Sequence, residues 1–468
     1  MNETEFDLIV IGAGSAGYNG AATASRLGLR VAVVDGAREL GGLCILRGCM
    51  PSKALLASAN RFRMIREAEA FGLSVEGATA DLGEIVERKN RYISEFASYR
   101  RGQIENGKFT FFNGRAEFVD AHTIDVSLLS GETKRLTGRT FLLATGSVLN
   151  APPVPGLSEI GYLHSDTALD LTTLPESLVM LGAGAIGLEF AHYFNCLGTK
   201  VTILQRSPHI LKGSDTDISD GLRKALEKHG IQIHTGVTLD SAEAVEGGKK
   251  LKYTVGGEPR EIVASEIFHA LGRKPNLGGM KLENAGLEVA NGTLKVSATQ
   301  QSAVPHIFAA GDVCGPYEIV HIAIQQAEVA VRNVAKLLGT NSGAAKLEET
   351  DYRLKLFVLF THPEVAQVGL TEAEALAAGE EIGVATYPFD DHGKSMVMGE
   401  TDGFVKLITR KSTGEIIGGS VVGPEAASLI HQIATLMLYR GTAKQLAAMP
   451  HYHPTLSEIW TYPADDLA

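Results

Sequence analysis

Four short apolar runs mark the predicted buried strands of the chain. They lie at residues 6–11, 31–35, 177–181 and 200–204, and each has the length of a strand rather than of a buried helix. An unbroken apolar run is typical of a parallel strand that is covered on both faces. In each pair, a glycine-rich turn and a helical stretch separate the two strands. The pattern predicts an α/β fold with two Rossmann-like, doubly wound domains.

The rest of the chain is patterned differently. A long charged helical region is predicted over 54–107, turn-rich strands follow to 139, and an apolar strand over 141–146 ends in a glycine turn. The proline-rich stretch 150–156 indicates a domain boundary. Mixed strands and helices fill the C-terminal part, which predicts an α+β domain. We therefore predict four segments: 1–149, 150–272, 273–347 and 348–468.

Composition and charge narrow the function classes. The chain has 468 residues, too many for one hydrophobic core, and a net charge of −11. This charge argues against nucleic acid or an anionic membrane as a partner. No apolar run approaches the roughly 20 residues of a transmembrane helix, and the acidic start at residues 1–5 does not resemble a signal peptide. Four cysteines fit a reducing compartment, so we expect a cytoplasmic protein, with Cys196 and Cys314 as inert core residues.

The first βαβ unit carries a dinucleotide fingerprint. Gly12 makes the tight turn, Gly14 lets the backbone approach a pyrophosphate, and Gly17 lets the helix pack closely. The phosphates are expected at the helix N-terminus, beside Ser15. Asp35, at the end of the second strand, is expected to bind a ribose hydroxyl pair.

The second unit repeats the fingerprint with Gly182, Gly184 and Gly187. Two fingerprints predict two dinucleotides. Asp35 lies 18 positions after Gly17, and the residue 18 after Gly187 is Gln205, followed by Arg206. A guanidinium in place of a carboxylate favours a 2′-phosphate and hence NADPH, unless Arg206 simply points into solvent.

Two cysteines lie five positions apart within residues 41–53. Five residues of helix rise about 7.5 Å, whereas a disulfide needs its Cα atoms within about 7 Å. A bridge between Cys44 and Cys49 therefore requires an irregular backbone, which Gly48 allows. So short a loop adds little stability, which favours redox chemistry over a structural bridge. Two structural thiols, or half of a metal site, are the alternatives.

The pattern Gly-Gly-x-Cys-x4-Cys-x-Pro-Ser-Lys at 41–53 resembles the active-site segment of the class I pyridine nucleotide–disulfide oxidoreductases. These flavoproteins include dihydrolipoyl dehydrogenase and glutathione reductase. Leu43, Leu46 and Arg47 replace the Thr, Asn and Val of most members. The resemblance implies a redox disulfide in which Cys49 faces the flavin and Cys44 exchanges with a disulfide or dithiol substrate.

The resemblance also implies the cofactors and their ligands. FAD is expected in segment 1–149, completed by 273–347, and NAD(P)H in segment 150–272. Asp312 matches the residue bonded to the ribityl chain, and Glu189 matches a glutamate that pairs with the lysine at Lys53, near the flavin. The other candidate cofactor-binding residues are Gly42, Thr145, Gly146, Gly272, Arg273 and Gly311.

The C-terminal string His-Pro-Thr-Leu-Ser-Glu resembles the family's acid–base pair, here His453 and Glu458. A carboxylate on one imidazole nitrogen fixes the tautomer and makes the other nitrogen more basic. In the family this pair serves the active site of the other subunit, so a homodimer with an interface domain at 348–468 is expected. His451 is the less favoured base.

The sequence is compatible with several hypotheses about the substrate and the function. The segment with Lys53 and the C-terminal string look most like dihydrolipoyl dehydrogenase, which implies a lipoyl-bearing partner. Gln205 and Arg206 look more like an NADPH-dependent reductase of glutathione or mercury, although Gly187 is often alanine in NADPH-using relatives. The chain lacks the C-terminal cysteine pair of mercuric reductase. A flavin-binding redox sensor with little turnover is a further alternative, and no metal site is expected.

Overall fold

The computed structural model describes residues 4–339 and 346–468. Three predictions extend outside these ranges, namely the acidic start at 1–5 and the segments 1–149 and 273–347. The chain forms two compact units. Unit 1 draws on Met1–Ser52, Glu87–Ala151 and Gly272–Asp351, and unit 2 on Lys53–Val86, Pro152–Leu271 and Tyr352–Ala468. The division into four segments stays a prediction.

The strands, in chain order, are β1 Glu5–Ile11, β2 Val31–Asp35, β3 Thr110–Phe118, β4 Thr123–Leu128, β5 Thr133–Leu143, β6 Ser147–Leu149, β7 Ser177–Leu181, β8 Lys200–Leu204, β9 Gln232–His234, β10 Val237–Val245, β11 Gly248–Val255, β12 Glu258–Ala264, β13 Glu266–His269, β14 Arg273–Pro275, β15 Val289–Ala290, β16 Thr293–Leu294, β17 Ile307–Ala309, β18 Leu356–Leu359, β19 Glu364–Gly369, β20 Ile382–Pro388, β21 Phe404–Arg410 and β22 Ile416–Gly423.

The α-helices are α1 Ser15–Arg26, α2 Gly42–Leu46, α3 Cys49–Arg66, α4 Leu82–Glu105, α5 Leu157–Ile160, α6 Ser165–Ala168, α7 Ala185–Leu197, α8 Thr216–Lys228, α9 Val320–Leu337, α10 Glu372–Ala377, α11 Gly393–Met398, α12 Ala426–Leu438, α13 Ala443–Ala448 and α14 Thr461–Asp466. Short 3₁₀ turns occupy Ala68–Phe71, Leu282–Ala285, Tyr352–Leu354, Phe389–Asp391 and Ser457–Trp460.

Unit 1 is built on the first predicted βαβ unit. Strand β1 pairs in parallel with both β2 and β5, and β17 pairs in parallel with β5. Strands β3, β4 and β5 form an antiparallel meander beside them. Helices α1 and α9 pack on one face of the sheet, where Gly20 allows the close approach, since a Cβ there would lie 2.7 Å from Leu142 Cδ2. The parallel sheet sets the ends of β1, β2 and β17 at one edge.

Unit 2 contains the second predicted βαβ unit. Its parallel sheet has the strand order β13-β7-β8-β9, and an antiparallel sheet of β10, β11 and β12 lies beside it in sequence. A five-stranded antiparallel sheet, ordered β18-β19-β22-β21-β20, packs against α12 in the C-terminal part. The α/β class and the C-terminal α+β domain are therefore confirmed.

The prediction of one continuous helical region over 54–107 is wrong. Helix α3 begins earlier, at Cys49, because Pro51 is tolerated in a first helical turn. The helical stretch then stops at Gly72, whose φ of 75° is left-handed, and α4 starts only at Leu82. Among the described residues, no helix is long and apolar enough to cross a membrane.

Candidate active site

The cysteine segment is irregular between its two sulfurs, as predicted. Helix α2 ends at Leu46, Arg47 follows with a φ of −143°, and Cys49 begins α3. Gly48 is required for a steric reason rather than for a left-handed φ. A Cβ on Gly48 would lie 2.9 Å from Leu43 O and 3.3 Å from Cys44 Cα. The backbone of Cys44 therefore lies directly against the start of α3, and both cysteines are half-buried.

The same segment passes close to the first fingerprint. Gly42 has a φ of 73°, and a Cβ there would lie 2.6 Å from Gly14 Cα. Any larger residue would push the cysteine segment away from the N-terminus of α1. The close approach of two glycines thus places the two cysteines beside the predicted phosphate-binding turn.

The first fingerprint forms the tight turn that the sequence predicts. Gly12 has a φ of 102°, and a Cβ on Gly17 would lie 1.8 Å from Gly12 O. Asp35 Oδ2 accepts a hydrogen bond of 2.6 Å from the Ala13 amide. The first turn of α1 has neither an acidic residue nor a side-chain cap. Its amide groups therefore fit the phosphates of a dinucleotide.

The second fingerprint has the same geometry with one chemical change. Gly182 has a φ of 98°, and a Cβ on Gly187 would lie 2.2 Å from Gly182 O. Gln205 Oε1 accepts a hydrogen bond of 3.0 Å from the Ala183 amide, the contact that Asp35 makes in the first unit. The N-terminus of α7 likewise has no acid and no side-chain cap, so it also fits a dinucleotide phosphate. Arg206 is exposed beside this turn.

A hydrogen-bonded chain in unit 1 holds Asp312. Ser147 Oγ donates to Asp312 Oδ2 over 2.7 Å, and Arg273 Nε donates to Ser147 Oγ over 2.9 Å. Burial, and then the charge of Asp312, raises the pKa of Glu318. The antiparallel pair of β6 and β14 brings Ser147 and Arg273 together. Sequence reasoning missed Ser147, because its partners lie more than a hundred residues away.

The other predicted cofactor-binding residues of unit 1 lie in turns. Gly311 has a φ of 81° and donates its amide to Gln326 Oε1 over 2.8 Å. Thr145 Oγ1 donates to the carbonyl of Asn276 over 2.7 Å. Gly146 and Gly272 have φ values of 69° and 109°. These turns follow β5, β13 and β17, where the strands end.

Lys53 and Glu189 form an ion pair within unit 2. Lys53 Nζ lies 2.8 Å from Glu189 Oε2 and 3.0 Å from Oε1. The Phe360 amide donates to Glu189 Oε1 over 3.1 Å, and the ammonium lies 4.8 Å from the centroid of the Phe360 ring. The Glu189 side chain is 9% exposed. The carboxylate is thus fixed by a lysine of α3 and by a backbone amide just after β18.

His453 and Glu458 also form a pair within unit 2. His453 Nδ1 lies 3.0 Å from Glu458 Oε2 and 3.1 Å from Oε1. The His453 side chain is 78% exposed, whereas that of Glu458 is 12% exposed. His451 is differently engaged, with Nδ1 2.8 Å from Met449 O and Nε2 3.0 Å from Gln432 Nε2. The exposed imidazole with a fixed carboxylate is suited to proton transfer.

Arg100, which interacts electrostatically with Cys44, is a residue that sequence reasoning missed. Its guanidinium carbon lies 4.0 Å from the centroid of the Tyr18 ring. Nε and Nη1 are buried and have no hydrogen-bond partner among the described residues. Burial lowers the pKa of Arg100, while negative charge on Tyr18 or Cys44 opposes that shift. Nothing in the sequence distinguishes Arg100 from the other arginines of α4.

The remaining two cysteines are buried, and a cluster of carboxylates in unit 2 surrounds a lysine. Burial raises the pKa of Cys196 and of Cys314 to about 12, so both stay protonated. Asp215, Asp217 and Glu372 converge in unit 2. The ammonium of Lys406 lies among them, 3.0 Å from Asp215 and 2.9 Å from Asp217. Lys406 thus offsets one of the three negative charges of this cluster.

The chain is similar to known proteins over almost its whole length. Residues 6–327 match the model of the pyridine nucleotide-disulphide oxidoreductase family, and 357–464 match its dimerisation domain. Dihydrolipoyl dehydrogenase of Chlamydia muridarum is 35% identical over 463 residues, covering 98% of this chain and 96% of the relative. That of Bacillus subtilis is 33% identical over 467 residues, with coverage of 97% and 96%.

Two solved structures share the whole fold. LpdA from Mycobacterium tuberculosis matches with a TM-score of 0.87 at 27% identity, covering 98% of this chain and 99% of the other. The HOCl-induced flavoprotein disulfide reductase RclA from Escherichia coli, as its Cu(II) complex, matches with a TM-score of 0.85 at 27% identity, covering 100% of both chains.

Proposed function

This chain belongs to the pyridine nucleotide-disulphide oxidoreductase family, and we therefore propose that Cys44 and Cys49 are its redox-active pair. The protein is an FAD-dependent disulfide oxidoreductase similar to dihydrolipoyl dehydrogenase. The observation that supports the pair most directly is the break between α2 and α3. There Gly48 brings the Cys44 backbone against the helix that begins at Cys49.

The proposed reaction oxidises a dithiol and reduces a nicotinamide dinucleotide, or runs in reverse. A substrate thiolate attacks Cys44 Sγ and breaks the disulfide, so that Cys49 leaves as a thiolate. The second substrate thiolate then attacks the substrate sulfur bonded to Cys44, which closes the substrate disulfide and releases Cys44. Two electrons and two protons leave the substrate. NAD(P)⁺ takes up one hydride and solvent takes up one proton.

The cofactor groups are assigned to the two fingerprints. We propose that the turn at Gly12, with Asp312, holds FAD, and that the turn at Gly182 holds the nicotinamide dinucleotide. Bound FAD would supply the two-electron transfer between the thiols and the nicotinamide. Lys53, which forms an ion pair with Glu189, would act electrostatically toward the flavin.

His453 is the proposed acid–base residue for the substrate thiols. The match to a dimerisation domain supports a homodimer, and we propose that His453 of one subunit serves the cysteines of the other. Its exposed ring, held by Glu458, supports this role. A lipoyl-bearing protein is the proposed physiological substrate, since the relatives at 33–35% identity are named dihydrolipoyl dehydrogenase. The proposed location is the cytoplasm.

Substrate turnover tests the proposal. The purified holoenzyme should oxidise dihydrolipoamide with NAD⁺ or NADP⁺, and Cys44→Ser and Cys49→Ser should each abolish this turnover. Both variants should still transfer electrons from NAD(P)H to ferricyanide, because that reaction bypasses the thiols. Turnover of oxidised glutathione but not of lipoamide would contradict the dehydrogenase assignment and favour a low-molecular-weight disulfide reductase.

Preference for NADPH is the finer proposal at the second fingerprint. Gln205 replaces the carboxylate that would repel a 2′-phosphate, and the exposed Arg206 and Lys212 follow it. Arg206→Gln should raise KM for NADPH roughly tenfold and leave KM for NADH unchanged, because only NADPH carries the phosphate. Arg260→Gln, an exposed arginine on β12, is the matched control. An unchanged KM for NADPH would contradict the proposal.

A further inference from the structure

A second histidine lies behind the carboxylate of Glu458. His392 Nε2 lies 3.6 Å from Glu458 Oε1, and the His392 side chain is 1% exposed. Glu458 therefore has an exposed imidazole on one side, at His453, and a buried imidazole on the other. The two histidines are 61 residues apart in the sequence, so the chain order gives no hint of the arrangement.

The surroundings of His392 fix its ring. His392 Nδ1 lies 2.8 Å from Ser395 Oγ, in the first turn of α11. The rings of Phe389 and Tyr462 face the imidazole nearly edge-on, with centroids at 6.5 and 6.4 Å. The packing leaves Nε2 directed at Glu458.

The protonation of His392 follows from its neighbours. Burial lowers the pKa of His392, although Glu458 opposes this shift, so the ring is neutral and carries one N–H. If Nδ1 carried the proton, the lone pair of Nε2 would face a carboxylate oxygen, which is repulsive. If Nε2 carries it, Ser395 can donate to Nδ1 and the Nε2–H dipole points at Glu458. The second tautomer is therefore favoured.

The contact is electrostatic rather than a formed hydrogen bond. A distance of 3.6 Å exceeds the 2.7–3.2 Å typical of N–H···O bonds. Nε2 is also buried without a hydrogen-bond partner among the described residues. An unsatisfied donor facing a carboxylate costs free energy unless the bond closes, and a shift of a few tenths of an ångström would close it.

We propose that His392 is a positioning residue that holds the Glu458 carboxylate in the orientation in which it binds His453. Apart from His453 and His392, the Thr455 amide reaches the Glu458 carboxylate, and only at 3.4 Å. Without His392 the carboxylate could rotate and hold the imidazole less firmly. The inference rests on the proposed role of His453 and Glu458, and it adds a third group to that pair.

Three variants of the site test the proposal in dihydrolipoamide turnover by the dimeric holoenzyme. His392→Leu should lower kcat about tenfold with little change in KM, since the loss concerns proton transfer. His392→Gln should restore most of kcat, because its amide N–H reaches the place of Nε2. Ser395→Ala should give an intermediate loss of kcat, because it removes the hydroxyl that favours the His392 tautomer with its proton on Nε2. Electron transfer from NAD(P)H to ferricyanide should stay unchanged in all three, and His431→Leu, an exposed histidine on α12, is the control.

A double-mutant cycle separates positioning from general structural damage. In a Glu458→Gln background, His392→Leu should cost less than about twofold, because it acts through the carboxylate already removed. Equal losses in both backgrounds, or a His392→Gln variant as slow as His392→Leu, would overturn the inference. If Glu458→Gln itself leaves turnover unchanged, the proposed His453–Glu458 pair fails instead, which is a distinguishable result.

Discussion

At the scale of single residues, the same contact is made by different chemistry in the two repeats. The Asp35 carboxylate accepts a hydrogen bond from the Ala13 amide, and the side-chain oxygen of Gln205 accepts one from the Ala183 amide. The spacing of 18 residues located both positions in the sequence, because the βαβ unit is a local structure. The spacing does not predict that each of these side chains also forms a hydrogen bond with the glycine turn of its own unit.

Arg100 leads to a prediction about the reactivity of Cys44. Its guanidinium is partly buried, with Nε and Nη1 shielded from solvent, and should stabilise a thiolate more strongly than Arg47, which is half-exposed and lies 3.6 Å from Glu39. Arg100→Leu should slow iodoacetamide alkylation of Cys44 in the reduced enzyme at pH 7 several-fold. Arg47→Leu should slow it less, and mass spectrometry identifies the alkylated cysteine. Equal rates for the wild type and Arg100→Leu would contradict the predicted field.

At the scale of elements, the sequence predicts the local βαβ units but carries no signal for the strand pairings between distant residues. Each fingerprint lies between a strand and a helix, which residues 6–35 and 177–204 display in sequence order. The pairing of β6 with β14, which supports Ser147, joins residues about 126 positions apart. No periodicity of the sequence reports such a contact. The helical break after Gly72 was missed because the charged pattern continues on both sides of it.

The turn between α2 and α3 should be intolerant of any side chain. Gly48→Ala would place a Cβ 2.9 Å from Leu43 O, so the cysteine segment must shift. We expect a loss of about 1–3 kcal/mol in the free energy of unfolding and slower dihydrolipoamide turnover. Gly102→Ala in α4 is the matched control, since nothing lies within 4 Å of its Cβ and alanine favours the helix. Urea unfolding compares the two, and an unchanged Gly48→Ala enzyme would contradict the steric argument.

Helix α7 should carry an acid-sensitive histidine. His192 Nε2 lies 2.7 Å from Asn60 Oδ1, and burial lowers the pKa of His192 from 6.5 to about 3. The unfolded chain therefore binds a proton that the folded chain does not, and stability falls as the pH drops from 6.5 toward 3.

Substituting His192 should reduce by one the number of protons that the chain takes up on unfolding between pH 3 and pH 6.5. His192→Gln should make the decline of unfolding free energy shallower by about 1.4 kcal/mol per pH unit in that window. His431→Gln, on the exposed side of α12, should leave the slope as it is. Urea titrations at several pH values measure both slopes. Equal slopes for the wild type and His192→Gln would contradict the assignment.

At the scale of the whole molecule, the match to a dimerisation domain supports a homodimer, and each compact unit contains one of the two βαβ units. The sequence predicted the family from its two fingerprints and its cysteine segment, because these motifs are short and contiguous. It could not predict Arg100 or His392. Arg100 contacts Tyr18 across 82 positions, and His392 lies 66 positions before Glu458. Such residues are defined by the folded chain and carry no local signal.

A subunit hybrid tests whether the active site is shared in the dimer. Cys44→Ser and His453→Gln homodimers should each be nearly inactive in dihydrolipoamide turnover. Mixed dimers should regain activity at one of their two sites, because intact cysteines of one subunit meet the intact histidine of the other. Mixed dimers purified through two affinity tags give the measurement. If they stay as inactive as the parents, His453 does not serve the other subunit.

We propose that electrons pass through Cys44 and Cys49, and stopped-flow reduction of the holoenzyme provides the test. Reduction by NADPH or NADH should bleach the flavin band and then produce a long-wavelength thiolate–flavin charge-transfer band, which Cys49→Ser should abolish. Bleaching without that band, at the same rate in the wild type and in Cys49→Ser, would contradict the claim.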